Sequence, residues 1–244
     1  MNILIMKDYK EMSRQAALLI AASIALKPNL VLGLPTGRTP VEMYKELVMI
    51  YQNGFVDFKY VTTFNLDEYV GIGKSDRNSF YSYMQNNLFR YVNIDKKNIH
   101  IPNGMAKNLS LECKRYEDSI RRYGPIDLII LGIGHNGHIG FNEPSDEFVP
   151  ETHIEQLTKR TRTANAKYFG SIDRVPHKAI TMGLGTIMSS RKIILIASGR
   201  DKAETIKRAL KGSITPQFPA SVLRLHQDCT FLIDRDAASI IGKI

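Results

Sequence analysis

The stretch DLIILGIG, residues 127–134, decides the fold class of this chain, because an unbroken apolar run ends directly in glycines. A strand with one face in water alternates apolar and polar side chains, whereas a strand buried on both faces of a parallel sheet is apolar throughout. Similar runs recur at residues 30–32, 60–64, 179–182, 192–197 and 230–233. The pattern predicts strands that lie inside a mostly parallel sheet.

Stretches of helical length and amphipathic pattern separate these runs, at residues 8–26, 40–52, 109–123 and 200–211. The alternation of strand and helix predicts an α/β fold, doubly wound, with a mostly parallel sheet and helices on both faces, a modified Rossmann-like arrangement. No Pro/Gly/Ser-rich linker divides the chain, so we expect a single domain over residues 1–244. The least patterned stretch, 144–163, is polar and long enough to predict a functional loop or lid.

The charge balance is the least selective property of the sequence. The chain of 244 residues carries 33 Lys and Arg against 24 Asp and Glu, a formal charge of +9. Such a surplus raises the hypothesis of nucleic-acid binding, but no basic-aromatic repeat or recognition-helix motif supports it. We therefore predict no nucleic-acid partner and interpret much of the excess, Lys159 and Arg160 included, as solvated surface.

Several other classes are excluded by patterns that the sequence lacks. Cys113 and Cys229 form no CxxC or Cys/His spacing, so we expect neither a structural zinc site nor a disulfide framework. The start MNILIMKDYKEM has no signal-peptide pattern, and no apolar run reaches the roughly 18 residues of a membrane span. These absences predict a cytoplasmic protein with no metal and no membrane partner.

The loop GLPTGRTP, residues 33–40, follows the apolar run at residues 30–32. Ligands bind beyond the carboxyl ends of strands in open α/β sheets, so this loop is a candidate site. Its small residues let backbone N–H groups approach an anion, Thr39 is a plausible helix cap, and Pro40 suits the first turn of the next helix. The loop indicates phosphate binding, with an ordinary strand-to-helix turn as the alternative.

Two adjacent carboxylates, Asp67 and Glu68, follow the strand at residues 60–64. A carboxylate that leaves a buried strand can sit in a cleft with a raised pKa and serve as a base. The alternative is a helix-capping Asp beside a surface Glu.

The loop after the opening stretch carries the strongest chemical signal. Residues 132–144 combine four glycines with His135, His138, Asn136, Asn142 and Glu143. A carboxylate and an amide can orient an imidazole that exchanges protons with a substrate. The glycines also satisfy GxGxxG, but Pro144 follows soon after and no long helix begins within the motif. We therefore predict no dinucleotide cofactor.

The loop ASGRDKA, residues 197–203, follows the strand at 192–197 and opens a helix with two cations, Arg200 and Lys202. It can hold an anionic group, with a capped helix and solvated cations as the alternative.

Together these loops resemble those of the glucosamine-6-phosphate deaminase family, over nearly the whole chain. The segments that carry the resemblance are GLPTGRTP, FNLDEYVG, LGIGHNGHIGFNEP, TRTAN and ASGRDKA. The related 6-phosphogluconolactonases continue the third loop toward a Ser-Leu-Phe-Pro stretch, whereas here it continues as Ile139-Gly140-Phe141-Asn142-Glu143-Pro144.

The resemblance implies an activity, amino-sugar catabolism by conversion of glucosamine 6-phosphate and water to fructose 6-phosphate and ammonium, without cofactor or metal. On this resemblance Asp67 moves the proton from C2 to C1, and His138, oriented by Glu143, opens the sugar ring. Asn136 belongs to the same set and, being an amide, orients without titrating. The substrate phosphate is expected at Thr36, Gly37, Arg38, Thr39, Arg162 and Lys202. Arg38 departs from the family pattern: either it adds a cation at the phosphate or its side chain points to solvent, and we favour the second because a bulky side chain would crowd a tight loop.

Three points stay open at this stage. There are two alternative functions: the same chemistry on galactosamine 6-phosphate, and a sugar-phosphate sensor without turnover. The sequence also does not distinguish a monomer from a homo-oligomer. Hexameric members bind N-acetylglucosamine 6-phosphate as an activator after the NEP motif. Here Asp146 and Glu147 stand in place of serines, and His153 and Glu155 in place of cations, so we expect no activation.

Overall fold

A computed structural model describes residues 1–242. The strands are β1 (Asn2–Met6), β2 (Val31–Leu34), β3 (Thr62–Asn65), β4 (Asp67–Tyr69), β5 (Ile99–His100), β6 (Leu128–Leu131), β7 (His153–Gln156), β8 (Lys178–Thr181), β9 (Ile193–Ala197) and β10 (Cys229–Asp234). The helices are α1 (Tyr9–Leu26), α2 (Val41–Gln52), α3 (Phe80–Asn87), α4 (Leu109–Tyr123), α5 (Lys159–Phe169), α6 (Leu184–Met188) and α7 (Ala203–Lys211). Residues 243 and 244 of the predicted domain lie outside this range.

Seven strands form a central parallel sheet in the order β1-β10-β9-β6-β2-β3-β5. Successive side chains of β6 pack into different cores. Leu128 and Ile130 join the cluster under α1 and α2, whereas Ile129 and Leu131 join the cluster under α4 and α7. Apolar residues at every position of β6 therefore reflect burial on both faces, and the doubly wound α/β prediction is confirmed.

Three strands form a second sheet, which is antiparallel, in the order β4-β8-β7. The prediction that residues 179–182 belong to the parallel sheet was wrong, because β8 is the middle strand of this small sheet. Ala179 and Ile180 are buried all the same, so their apolar pattern resembles that of a central parallel strand. The apolar pattern of a strand therefore indicates its burial and does not distinguish parallel from antiparallel pairing.

The junction between the two sheets lies at Leu66, which separates β3 from β4. Its N–H donates to Leu34 O at 3.4 Å, on the central sheet, and its carbonyl accepts from Met182 N at 2.7 Å, beside the small sheet. Asp67, the next residue, is therefore the first residue of the small sheet. It leaves the carboxyl end of a central strand.

The stretch 144–163 is more regular than the predicted loop or lid, since it contains β7 and the start of α5. Its middle is tied to α6, where Leu184 N donates to Val149 O at 2.8 Å and Thr186 N donates to Pro150 O at 2.9 Å. Its polar composition reflects partly exposed strand and helix faces. Whether the stretch moves as a lid stays a prediction.

No helix within residues 1–242 has the length and apolar character needed to cross a membrane.

Candidate active site

Four loops meet at one edge of the central sheet, because β9, β6, β2 and β3 are consecutive parallel neighbours. The carboxyl ends of parallel neighbours point the same way, so the loops that follow them gather together. These are the same loops that the sequence analysis singled out.

Asp67 is buried, with 6% of its surface exposed, at the start of β4. Burial, with the neighbouring Glu68 charge as a second cause, raises the pKa of Asp67 well above its ordinary value. Gly140 adopts a φ of +57°, and a Cβ added there would lie 3.4 Å from Asp67 Oδ2 and 2.9 Å from Thr181 Oγ1. The glycine thus brings a loop backbone close to a carboxylate that can take up a proton.

Glu68 is buried as well, but its role is structural. Its carboxylate accepts from Phe80 N at 3.0 Å and Tyr81 N at 3.2 Å, the free N–H groups at the start of α3. Burial raises the pKa of Glu68 to about 7, and these backbone hydrogen bonds oppose that rise. The alternative of a helix-capping Asp beside a surface Glu is therefore wrong, because Glu68 is buried and is itself the carboxylate that binds the helix.

A tight turn sets the position of His138. Gly134 N donates to His138 O at 3.0 Å, and Gly137, with a φ of +87°, donates to Gly134 O at 3.0 Å. A Cβ on Gly134 would overlap the His138 ring, and one on Gly137 would overlap the Phe218 ring. The glycine motif serves to place an imidazole.

Glu143 faces His138 and is held by Asn136. Asn136 Nδ2 donates to Glu143 Oε2 at 2.6 Å, and His138 Nδ1 lies 3.6 Å from the same oxygen, just beyond hydrogen-bond range. Burial raises the pKa of Glu143, but the neighbouring His138, Thr161 and Asn136 outweigh it and lower the pKa to about 2. The carboxylate therefore stays charged beside the imidazole.

Thr158, which the sequence analysis did not single out, binds the other carboxylate oxygen. Glu143 Oε1 accepts from Thr158 Oγ1 at 3.2 Å and from Thr158 N at 3.4 Å. Thr158 is the N-cap residue of α5, and its oxygen accepts from Thr161 N at 3.2 Å. Only its position one residue before a basic helix marks it in the sequence.

Tyrosine hydroxyls brace the loop after β2. Tyr83 donates to Gly37 O at 2.7 Å, and Tyr9 donates to Thr39 O at 3.1 Å. Gly37 has a φ of +100°, a backbone conformation that residues with a Cβ rarely adopt. Arg38 is exposed, and Thr36 and Thr39 are partly exposed. The expectation that Thr39 caps α2 was wrong: Pro40 takes the N-cap position and no side chain bonds there.

Lys202 reaches from the start of α7 into the same edge of the sheet. Its Nζ donates to Ile133 O at 2.8 Å. Burial lowers the pKa of Lys202 to about 8; Asp201 opposes this fall, and the charges of Arg160 and Arg38 add to it. The positive charge around Lys202 therefore includes Arg160, which the sequence analysis assigned to solvated surface.

Arg162 is directed elsewhere in this structure. Its guanidinium donates to Ile172 O at 2.9 Å and to Val175 O at 3.4 Å. These bonds tie α5 to the short 3-10 helix Ile172–Arg174. Arg162 sits two residues from Arg160 on the same helix.

Known proteins share both the sequence and the architecture. The profile of a family described as glucosamine-6-phosphate isomerases/6-phosphogluconolactonase matches residues 7–232. A glucosamine-6-phosphate deaminase of Clostridium botulinum (strain Kyoto / Type A2) is 53% identical over 239 residues, which cover 98% of each chain. One of Thermoanaerobacter sp. (strain X514) is 52% identical over 241 residues, 99% of this chain and 95% of its own.

Solved structures agree with this result. A monomeric glucosamine-6-phosphate deaminase superposes with a TM-score of 0.96 at 47% identity, covering 98% of this chain and all of its own. A 6-phosphogluconolactonase from Trypanosoma cruzi superposes with a TM-score of 0.76 at 19% identity, over 99% of this chain and 97% of its own, and shares the fold. The chain therefore belongs to the family of glucosamine-6-phosphate isomerases and 6-phosphogluconolactonases.

Proposed function

We propose that this chain is an enzyme that converts glucosamine 6-phosphate and water to fructose 6-phosphate and ammonium. The observation that carries the proposal is that Gly140, in the loop of the His138–Glu143 pair, lies beside a buried carboxylate, Asp67. The names of relatives at 52–53% identity over nearly their whole length support the same reaction.

Ring opening is the first step, and we assign it to His138. The imidazole takes the proton of the C1 hydroxyl and returns a proton to the ring oxygen, which yields the open-chain aldehyde without net loss of protons. Glu143 is charged and lies 3.6 Å from Nδ1, so it stabilises the imidazolium formed between the two transfers.

Isomerisation and deamination follow, and Asp67 is the group we assign to them. It removes the C2 proton to form an enolamine and delivers a proton to C1, which gives a ketimine at C2. Water adds to the ketimine, and the nitrogen leaves as ammonium. A carboxylate with a raised pKa suits both halves of this transfer, because it accepts the proton and releases it again.

Phosphate recognition is proposed at the loop after β2 and the cations opposite it. Backbone N–H groups of Thr36, Gly37, Arg38 and Thr39 can approach the anion, and Lys202 supplies a positive charge from the other side. Arg162 belongs to this proposal if its guanidinium leaves the carbonyls of Ile172 and Val175 when substrate binds.

The remaining alternatives differ in support. The sequence motifs do not distinguish the two C4 epimers, so galactosamine 6-phosphate is the second candidate substrate. A sensor without turnover has less support, because binding alone does not require Asp67, His138 and Glu143 together. We propose neither a nucleic-acid partner nor an organic cofactor or metal. Within residues 1–242 no three His, Cys, Asp or Glu side chains are grouped to hold a metal ion.

Activation by N-acetylglucosamine 6-phosphate is not part of the proposed function. Glu151 pairs with Arg121 of α4, and His153 Nε2 lies 3.3 Å from Glu155 Oε2. The guanidinium of Arg121, which reaches this stretch from α4, is thus paired with a carboxylate of the stretch itself. The superposed relative with 47% identity is described as monomeric, whereas the activated members are hexamers.

The experiment that tests the function mixes the purified chain with each amino-sugar phosphate and measures ammonium and ketose phosphate. We expect both products from glucosamine 6-phosphate in equal amounts. Absence of ammonium with either sugar would refute the enzyme. An Asp67→Asn variant should bind substrate but lose exchange of the C2 hydrogen with solvent.

A further inference from the structure

We propose that Thr158 is a positioning residue that makes the orientation of Glu143 toward His138 depend on the docking of α5. The inference rests on the function proposed above. It concerns a residue that neither the sequence motifs nor the assigned proton transfers include.

Glu143 is held at both oxygens, from two different parts of the chain. Oε2 accepts from Asn136, in the loop that carries His138, at 2.6 Å. Oε1 accepts from the hydroxyl and the N–H of Thr158 at 3.2 and 3.4 Å. Since a carboxylate is planar, fixing Oε1 also fixes the direction in which Oε2 faces His138 Nδ1, 3.6 Å away.

The Thr158 hydroxyl bonds to Glu143 and to the helix at the same time. Its proton goes to the carboxylate, while its oxygen accepts from Thr161 N at 3.2 Å and so caps α5. A hydroxyl has one donor and two acceptor positions, so the two bonds are compatible. A charged carboxylate at a helix N-terminus is also favoured by the helix dipole, and the pKa of about 2 keeps Glu143 charged.

Helix α5 also carries two of the arginines considered for phosphate recognition. Arg160 lies in its first turn with a charge that reaches Lys202, and Arg162 follows two residues later. A phosphate that draws on either arginine acts on the same helix whose N-cap holds Glu143. The arginines considered for phosphate recognition and the residue that holds Glu143 therefore belong to one helix and its N-cap.

The first test replaces Thr158 by Val, which keeps the β-branched shape and removes the hydroxyl. We expect kcat for deamination to fall about tenfold, because a misaligned Glu143 gives up part of the acid–base contribution of His138. Binding should change less. The probe is 2-amino-2-deoxyglucitol 6-phosphate, the reduced open-chain form of the substrate, whose Kd by calorimetry should stay within about threefold.

A second variant separates positioning from capping. Thr158→Asp caps a helix well but offers Glu143 a second carboxylate in place of a donor. We expect its kcat to fall at least as far as that of the Val variant, whereas Thr158→Ser restores the hydroxyl and should recover most of the rate. Thr163→Val, a change of the same size at an exposed position of α5, is the matched control and should match the wild type.

The outcomes divide cleanly. Wild-type kcat in Thr158→Asp would overturn the inference, since capping would then explain the residue. So would equal kcat in Thr158→Val and wild type, or a loss confined to the Kd of the alditol phosphate. A wild-type chain that releases no ammonium refutes the proposed function itself, and the inference falls with it.

Discussion

Gly134 lies directly against the imidazole of His138, so that a Cβ at Gly134 would overlap the Nε2, Cε1 and Cδ2 atoms of the ring. The motif that resembles a dinucleotide fingerprint is therefore explained by a side chain of the protein. The position of the imidazole can therefore be tested by substituting Gly134, without changing His138.

Gly134→Ala should reduce kcat by about tenfold or more, because the imidazole must move to admit the methyl group. Gly132→Ala is the matched control, since a Cβ there has no atom within 4 Å. Steady-state kinetics of both variants decide the matter. Equal kcat in the two variants would show that the ring can be displaced at no catalytic cost.

Asp67→Asn should be inactive yet more stable than the wild type, and the gain should grow with pH. The folded-state pKa of Asp67 is raised by burial, so the wild type loses stability as pH rises from the ordinary carboxyl pKa toward the raised value. Each unit of difference corresponds to about 1.4 kcal/mol. The Tm difference at about pH 8 should exceed that at about pH 5. Asp173→Asn, at an exposed site, should show no such trend.

The alkaline limb of kcat/KM should report Lys202. Its pKa of about 8 means that the free enzyme loses this positive charge as pH rises through that value, and the affinity for the substrate phosphate falls. The change should appear in KM more than in kcat. In Lys202→Arg the guanidinium stays charged, so the fall should move to higher pH. An identical profile in both proteins would assign the limb to another group.

Arg160→Ala should raise KM about fivefold at low ionic strength and leave kcat nearly unchanged, because an exposed cation attracts phosphate through screened charge. The effect should shrink at about 0.5 M salt. Lys159→Ala removes an equal charge at the neighbouring exposed position of the same helix and is the matched control. A larger KM effect in the Lys159 variant would contradict this placement of the phosphate.

N-acetylglucosamine 6-phosphate should not activate the enzyme. Arg121 is already paired with Glu151, and Asp146 and Glu147 add negative charge where the activator phosphate would bind. Substrate saturation curves with and without the metabolite test this directly. A tenfold fall in apparent KM on its addition would show that a site exists.

Four helices, α1, α2, α4 and α7, were predictable because each carries an amphipathic pattern, whereas α3, α5 and α6 were not predicted. The limits predicted for α1 and α4, 8–26 and 109–123, differ from Tyr9–Leu26 and Leu109–Tyr123 by at most one residue. The apolar runs likewise marked β6 and β9. The pairing of the strands was harder to predict. Both β8 and β6 are buried, and their side chains do not indicate that β8 pairs antiparallel and β6 parallel.

The candidate site was predictable where its residues lie in one loop, and incomplete where they do not. His138, Asn136 and Glu143 share a dozen residues, so their proximity follows from the chain. Thr158 reaches Glu143 from 15 positions away through a hydrogen bond that only the packing of α5 creates. The charge of Arg160 on Lys202 is likewise a tertiary property, invisible in a local charge pattern.

The two halves of the proposed proton-transfer set lie on different sheets. Asp67 begins β4 of the small antiparallel sheet, whereas His138 follows β6 of the central one. Mutational drift in the small sheet can therefore shift the base relative to the acid while the large core stays intact. In directed evolution, substitutions in β7 and β8 should therefore change the pH optimum and the substrate range, although neither strand carries a residue assigned to the reaction.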